Sequence, residues 1–436
     1  MDERKLRVFL EQDLVGELSE SNNLWRFTYD PTWADKDGAL AIAPGLPLGN
    51  EPIIDGGTKR PVQWFFDNLL PEEALRTRLA QEKKIAEADA FGILEAYGAE
   101  SAGALTLLKP GADLPPAGRR PLTEAELSKR VRDLPRVSLE AKAPKKMSLA
   151  GAQHKLPVIV EGDAYFEPEG SEPSTHILKP NHPDVTTYPN SVINEWSVMQ
   201  LAGRLGLRVP ATSHRYCPHE DSAKDVVPIF LIERFDRVHE KGKVRRLHAI
   251  DACQLLNIDR TYKLNSMTIE TLQNVAEATR SRATTRLRLY QWALFNILVG
   301  NRDAHLKNLS FMVNPTGIEL SPHYDLLSTA VFDAGDAVQE WRNLEMSLAL
   351  KGATRYAEIT REAVLALAED LGVGKQTAER ILDKMVHDAP SELDGLIKEF
   401  EDRAYPTSAK ALRGGELRVL RQIRHAVMES MVRQLG

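Results

Sequence analysis

Cysteine is scarce in this chain. Cys217 and Cys253 are the only two among 436 residues, and neither has metal-site spacing. That excludes a disulfide framework and leads to the expectation of a reducing, cytoplasmic location. Long apolar runs are missing too: no stretch of about 18 apolar residues occurs, so no transmembrane helix and no membrane partner are expected. The charged opening MDERKLRVFLEQ lacks an apolar segment of the secretory kind. Positive charge is not in excess either. The formal net charge is −6, so the chain as a whole has no basic field to recruit nucleic acid. No internal repeat is visible, metal runs such as H-E-x-x-H are absent, and G-x-G-x-x-G does not occur. The nearest approach to a Walker motif, residues 371–377 (LGVGKQT), fails: Glu369 stands where the first glycine belongs and Gln376 where Ser or Thr belongs. It reads as the stop of one helix and the start of another.

What the chain does have is a 42% apolar fraction, enough for a normal interior, over a length that predicts two or three domains. Residues 1–108 read as a small α/β module. It has strands at 5–10, 24–29 and 39–43, helices at 62–70 and from Glu72 to Ala80, and a turn into a strand within 91–108. Residues 109–146 are punctuated by six prolines (110, 115, 116, 121, 135, 144) and read as a connector holding one helix, 123–131, capped by Thr123 with Glu126 three residues on. Residues 147–237 begin with small residues at 148–152, then a strand at 156–160 and another at 175–178 that ends at Lys179. An amphipathic helix, 191–205, carries Glu195 and is closed by Gly206; an apolar strand, 226–233, runs into R-F-D-R. Residues 238–436 read as helical, with an apolar helix at 287–299 broken by Gly300.

The chemistry concentrates just after that glycine, in N-R-D-A-H-L-K-N (301–308). Asp303 and Asn308 stand five apart, and Asp325 follows seventeen residues later, beyond two extended pieces at 309–313 and 318–320. Preceded by a strand lysine and a helix glutamate, this is the order of a protein kinase. A carboxylate, Asp303, would accept or orient the hydroxyl proton of the acceptor. An amide oxygen and a second carboxylate, Asn308 and Asp325, would hold Mg2+ against the phosphates of ATP, because hard cations prefer oxygen. Lys179 would neutralise the α- and β-phosphates, with Glu195 as its ion-pair partner. Ala150, Gly151 and Ala152 would let backbone N–H groups approach phosphate closely. Cys253, inside D-A-C-Q-L-L, reads as a packed thiol. Arg418, Arg421, Arg424 and His425, on a last helix at 416–435, read as a solvated basic face rather than a DNA contact.

On these residues the chain resembles the HipA family, serine/threonine kinase toxins of bacterial type II toxin–antitoxin pairs. The matching pieces are FFDNLLP (65–71), SLAGAQHK (148–155), THILK (175–179), NE (194–195), ERFDR (233–237), DACQ (251–254), DAHLKN (303–308) and PHYD (322–325). The resemblance implies an α+β fold: a protein-kinase-like two-lobed core, with a mixed N-lobe and an all-helical C-lobe, preceded by the small N-terminal module. It implies a protein kinase using ATP and Mg2+, with Asp303 as base and Asn308 and Asp325 at the metal. Ala150, Gly151, Ala152, Gln153, His154, Lys155 and Lys179 would surround the phosphates, and Glu233, Arg234 and Phe235 would border the adenine. His305, Leu306, Lys307 and Asn308 would line the phosphate side, with Tyr324 beside Asp325. Ser148 would be autophosphorylated, and the charge added there would close the ATP site. The implied partners are a HipB-like helix-turn-helix antitoxin, operator DNA reached through it with the chain as corepressor, and an aminoacyl-tRNA synthetase as substrate. Two other readings fit the same loop. One is a small-molecule or lipid-type kinase, since D-x-H-x-x-N is nearer to lipid-kinase loops than H-R-D. The other is mainly a binding module of an antitoxin–DNA complex.

Overall fold

The computed structural model describes residues 3–99, 103–140, 143, 154–218, 226–333 and 340–436. Alternation of apolar and polar residues builds the first sheet. In β1 (Arg4–Leu10), Leu6 and Val8 are buried while Lys5 faces solvent. β1 pairs antiparallel with β2 (Asp13–Ser21), which pairs with β3 (Leu24–Tyr29). The short β4 (Ile53–Ile54) and β5 (Leu105–Leu108) complete the order β4-β3-β2-β1-β5. The sequence reading places no strand at 13–21, where β2 contains Gly16. The structure needs that glycine for close approach: a Cβ there would lie 2.3 Å from the Thr28 carbonyl oxygen. Conversely, 39–43 is not a strand. It holds only an isolated bridge, Ala43 to Leu46, and its Ile42 N–H donates to the Tyr29 hydroxyl. Four helices complete the module: α1 (Pro31–Ala34), α2 (Pro61–Asp67), α3 (Glu73–Lys83) and α4 (Ala90–Tyr97). Phe65 and Phe66 of α2 meet edge to face with ring centroids 5.0 Å apart, and Phe66 tilts against Phe27 of the sheet at 5.6 Å.

The second sheet contains six antiparallel strands in the order β10-β11-β9-β7-β8-β6. They are β6 (Gly118–Leu122), β7 (Leu156–Glu161), β8 (Ala164–Glu169), β9 (His176–Pro180), β10 (Thr212–Pro218) and β11 (Val226–Glu233). The stretch 109–146 is therefore more than a connector. β6 forms the sheet's edge, and α5 (Glu124–Arg132) follows it, capped by Thr123 accepting from the Glu126 N–H. Leu122 and Leu127 join Leu156, Leu178 and Leu231 in a small core of their own. Proline misleads here because Pro121 occupies an edge strand, where its missing N–H costs no ladder bond. Arg120 and Arg130 both bind the buried Glu167. Behind β9–β11 packs α6 (Ser191–Arg204).

The C-lobe is mostly helical but not all-helical. It contains the hairpin β12 (Arg237–Glu240) and β13 (Lys243–Arg246). A three-stranded sheet follows: β14 (Ala249–Asp251), β15 (Ser310–Asn314) and β16 (Gly317–Leu320). The last pair is β17 (Glu345–Leu350) and β18 (Ala353–Arg355). Its helices are α7 (Ala252–Leu256), α8 (Ile269–Glu277), α9 (Arg282–Leu298), α10 (Ala330–Asp333), α11 (Arg361–Asp370), α12 (Lys375–Asp402), α13 (Lys410–Gln422) and α14 (Glu429–Leu435). The apolar α9 runs through the centre, with Leu289, Tyr290, Leu294, Phe295 and Leu298 fully buried. Gly372, at φ +74°, separates α11 from α12, so the would-be Walker fragment is a helix break. The N-terminal module shares its apolar core with this lobe. Polar bonds also join the two: His248 Nε2 to the Ile42 carbonyl oxygen (2.7 Å), and Gln254 Nε2 to that of Phe65 (3.0 Å). Among the described residues no helix is long and apolar enough to cross a membrane.

Candidate active site

A cleft of about 590 Å³ opens where the N-terminal module, the second sheet and the C-lobe meet. Its floor is made by the turn after α9. Gly300 has φ +64°, and a Cβ would come within 2.6 Å of Ala330 Cβ and 2.9 Å of Val427 Cγ1, so only glycine fits the break. A chain of amides then carries the rigidity of α9 into the loop. Asn296 Nδ2 donates to the Trp292 carbonyl oxygen, and Asn301 Nδ2 donates to Asn296 Oδ1. The Asp303 N–H in turn donates to Asn301 Oδ1 at 3.0 Å. From the other end, Asn308 Nδ2 donates to the Asp303 carbonyl oxygen at 2.7 Å, which turns the oxygen of the same amide the opposite way. The Asp303 carboxylate is left at the cleft mouth, its side chain 55% exposed. Partial burial, then the charge of Asp325, push it up to about 6; the open side toward solvent limits that rise. His305 Nε2 lies 3.9 Å from Asp303, and burial, then Lys263, lower this imidazole to about 4, so it is neutral.

Across the cleft, Lys179 sits in β9 beside Phe230 of β11. Its ammonium donates to Glu195 Oε1 of α6 at 2.6 Å and to Asp325 Oδ1 at 2.5 Å. Burial alone would lower Lys179, but the two carboxylates outweigh it and raise it. Asp325 is held low despite its burial, chiefly by Lys179, whereas burial pushes Glu195 up. Asp325 adopts φ +57°, a left-handed conformation rare outside glycine. On the hinge side, Arg234 grips Asp236 with two bonds of 3.0 and 2.7 Å, and Phe235 stacks on Tyr324 at 5.7 Å. The Tyr324 hydroxyl donates to the Lys307 carbonyl oxygen.

The family model described as the HipA-like C-terminal domain matches residues 147–393 of this chain, and that of the HipA N-terminal domain matches residues 6–108. The chain belongs to the HipA family. Among its relatives, Y4mE of Sinorhizobium fredii is 31% identical over 94% of this chain and 96% of its own. The serine/threonine-protein kinase toxin HipA of Shewanella oneidensis is 31% identical over 75% of this chain and 76% of its own. The solved Shewanella oneidensis HipA, in complex with HipB and operator DNA, superposes with a TM-score of 0.76 at 25% identity, covering 99% of both chains. The α+β architecture of this HipA-family chain, helices and sheets together, follows that structure.

Of the residues predicted for the site, Lys155, Lys179, Glu233, Arg234, Phe235, Asp303, His305, Lys307, Asn308, Tyr324 and Asp325 all line the cleft. Ser148, Ala150, Gly151, Ala152 and Gln153 lie outside the described residues. His154 is not on the cleft lining; its imidazole is lowered to about 4 by burial, then by Arg78 and His182. Leu306 departs from its expected place on the phosphate side: an apolar residue in a polar loop goes to the core, and its side chain is fully buried. Lys307 borders the cleft, yet its ammonium is turned to Asn68 (oxygens at 3.0 and 2.9 Å) and Asp251 Oδ2 (2.7 Å). Asn68, Glu72, Asp251 and Lys263 also line the cleft, without an expected role in the site; Asn68 and Asp251 fall within the family pieces FFDNLLP and DACQ, while Glu72 and Lys263 fall in neither. Cys253 is a fully buried thiol. Arg421 pairs with Glu401 on an exposed face, whereas Arg424 is largely buried and turned to Asp394, Glu429 and the Pro390 carbonyl oxygen.

Magnesium can be tested against these side chains. Asp325 keeps one carboxylate oxygen free of Lys179, and Asn308 keeps its amide oxygen, so the donor set is all oxygen. Among the described residues no three His, Cys, Asp or Glu side chains converge on one point. Two oxygen side chains fit a cation that arrives with substrate phosphates and completes its shell from them.

Proposed function

We propose that this chain is an ATP-dependent serine/threonine protein kinase acting as the growth-inhibiting toxin of a toxin–antitoxin pair. The observation that carries the reading is the buried Lys179, paired with Glu195 and Asp325 across the cleft from Asp303 and Asn308. Lys179 binds the α- and β-phosphates of ATP, released in part from Asp325 as the nucleotide enters. Asp325 and Asn308 would hold Mg2+, which would supply positive charge to the phosphates. Phe235 and Tyr324 flank the base. Asp303, fixed through its backbone by Asn301 and Asn308, orients the acceptor hydroxyl and takes its proton.

A HipB-like antitoxin and, through it, operator DNA are the proposed partners, by likeness to the Shewanella oneidensis assembly. Corepression, an aminoacyl-tRNA synthetase as target and autophosphorylation of Ser148 belong to the same proposal. The test is transfer of labelled phosphate from ATP to protein serine by wild type and Asp303→Asn. Labelling by the wild type alone supports the proposal. Equal labelling, or labelling of a metabolite with no protein labelled, overturns it.

A further inference from the structure

Phosphoryl transfer spreads negative charge over three equatorial oxygens, and kinases meet it with fixed cations. In this cleft Lys179 stands on the nucleotide side, with Lys155 beside it at the start of β7. The Asp303 side needs its own. His305 is neutral. The Lys307 ammonium faces Asn68 and Asp251. Arg302 is tied to Asp333 (2.7 Å) and the Glu345 carbonyl oxygen (3.1 Å).

Lys263 is placed differently. It follows the turn Arg260–Tyr262, lines the cleft and is 16% exposed in its side chain. Its carbonyl oxygen accepts the Leu306 N–H at 3.2 Å, which fixes it to the Asp303 loop. Two carboxylates at the start of α3 aim its ammonium: Glu72 Oε2 at 2.5 Å and Glu73 Oε1 at 3.7 Å. Glu72 is nearly completely buried, and its other oxygen has no hydrogen-bond partner, the Lys307 ammonium standing 3.8 Å away. This repeats, on the acceptor side, the pairing of Lys179 with Glu195. Among the cations acting on Asp303, Lys263 acts most strongly.

We propose that Lys263 is a further catalytic residue, the cation that stabilises the transferring phosphoryl group beside Asp303, and that Glu72 positions it from the N-terminal module. The proposal rests on the kinase reading above. In the step, the serine Oγ forms a bond to the γ-phosphorus. The bond from that phosphorus to the β,γ-bridging oxygen breaks, its electron pair leaving with ADP, and the hydroxyl proton passes to Asp303. Lys263 is unchanged by the step. One consequence is that residues 147–393 alone carry an incomplete site.

The decisive variant uses the scarcity of thiols. Cys217 and Cys253 are fully buried, and burial pushes both thiols up, Cys217 to about 12, so a thiol introduced on the cleft wall by Lys263→Cys can be alkylated selectively. In the full chain, Lys263→Met should lower kcat roughly 10²-fold, the range for loss of one transition-state donor, with Kd for ATP within about threefold of wild type. Lys263→Cys should be as slow, and treatment with 2-bromoethylamine, which restores an ammonium one atom type away from lysine, should bring the rate back to within about tenfold of wild type. Glu72→Gln should lose less, and Glu72→Gln combined with Lys263→Met should be no slower than Lys263→Met alone, because Glu72 acts through the lysine. The proposal is overturned if Lys263→Met keeps kcat within about threefold of wild type. It is also overturned if the alkylated protein, its mass confirmed, stays as slow as before treatment. Wild type and Asp303→Asn run alongside: no transfer by either would instead remove the kinase reading itself.

Discussion

Lys307→Met separates two accounts of the catalytic-loop lysine. By sequence its ammonium belongs to the phosphates; in the structure it is 5% exposed and turned away, to Asn68 and Asp251. Methionine keeps the length and apolar stem of the side chain, so little cavity forms. What is lost is the partner of Asp251, whose side chain is 11% exposed, together with a donor to both oxygens of Asn68 and the nearby charge facing Glu72. Removing one member of a buried ion pair costs about 3–5 kcal/mol, because the remaining charge stays buried without compensation. Glu72 keeps Lys263 and Asp251 keeps the Gln254 N–H, which argues for the lower end of that range. The loss falls on the contact between the N-terminal module and the C-lobe. Thermal melting should drop by roughly 3–5 °C, and limited proteolysis should cut between the module and the second sheet sooner than in wild type. ATP affinity of the folded protein, read by titration with a fluorescent analogue, should stay within about threefold of wild type, since the ammonium does not face the nucleotide. Unchanged melting with much weaker ATP binding would refute this reasoning and return Lys307 to the phosphates.

Three further outcomes follow from the site. Asp303→Asn should slow transfer roughly 10²–10⁴-fold while melting stays level, because the loop is pinned through the Asp303 backbone rather than its carboxylate; weakened ATP binding in this variant would contradict that placement. Asp325→Asn should instead weaken Mg2+-dependent ATP binding and leave Mg2+-independent binding nearly unchanged, as isothermal titration with and without EDTA can tell. With Asp303 raised to about 6, the base is ionised above that pH and lost below it. Single-turnover rates should therefore climb from about pH 5 to about pH 7 and then level off, and a rate independent of pH over that window would exclude Asp303 as the base.

The elements of the site that could be read from sequence are those whose chemistry is encoded by local spacing. Lys179 lies near the end of a strand, Asp303 and Asn308 follow a helix break and Asp325 a hairpin, all revealed by the pattern, and the structure brings them to one cleft. Thr123 announced α5 because a cap is a local signal. What escaped depends on contacts distant in sequence. Asn68 meets Lys307 across 239 residues and Glu72 meets Lys263 across 191, so nothing in either segment alone states the pairing. The proline-rich stretch that carries β6 was misjudged for the complementary reason: proline forbids a central strand but tolerates an edge, and only the neighbouring strand tells which applies.

The 239 residues between Asn68 and Lys307 also set a delay during synthesis. At 5–20 residues per second a ribosome takes roughly 12–50 s to travel that distance. For most of that interval a growing chain displays Asn68 and Glu72 without the lysines they hold: Lys263 is made 191 residues after Glu72, and Lys307 later still. The cleft that these pairings complete therefore cannot close until most of the chain has emerged.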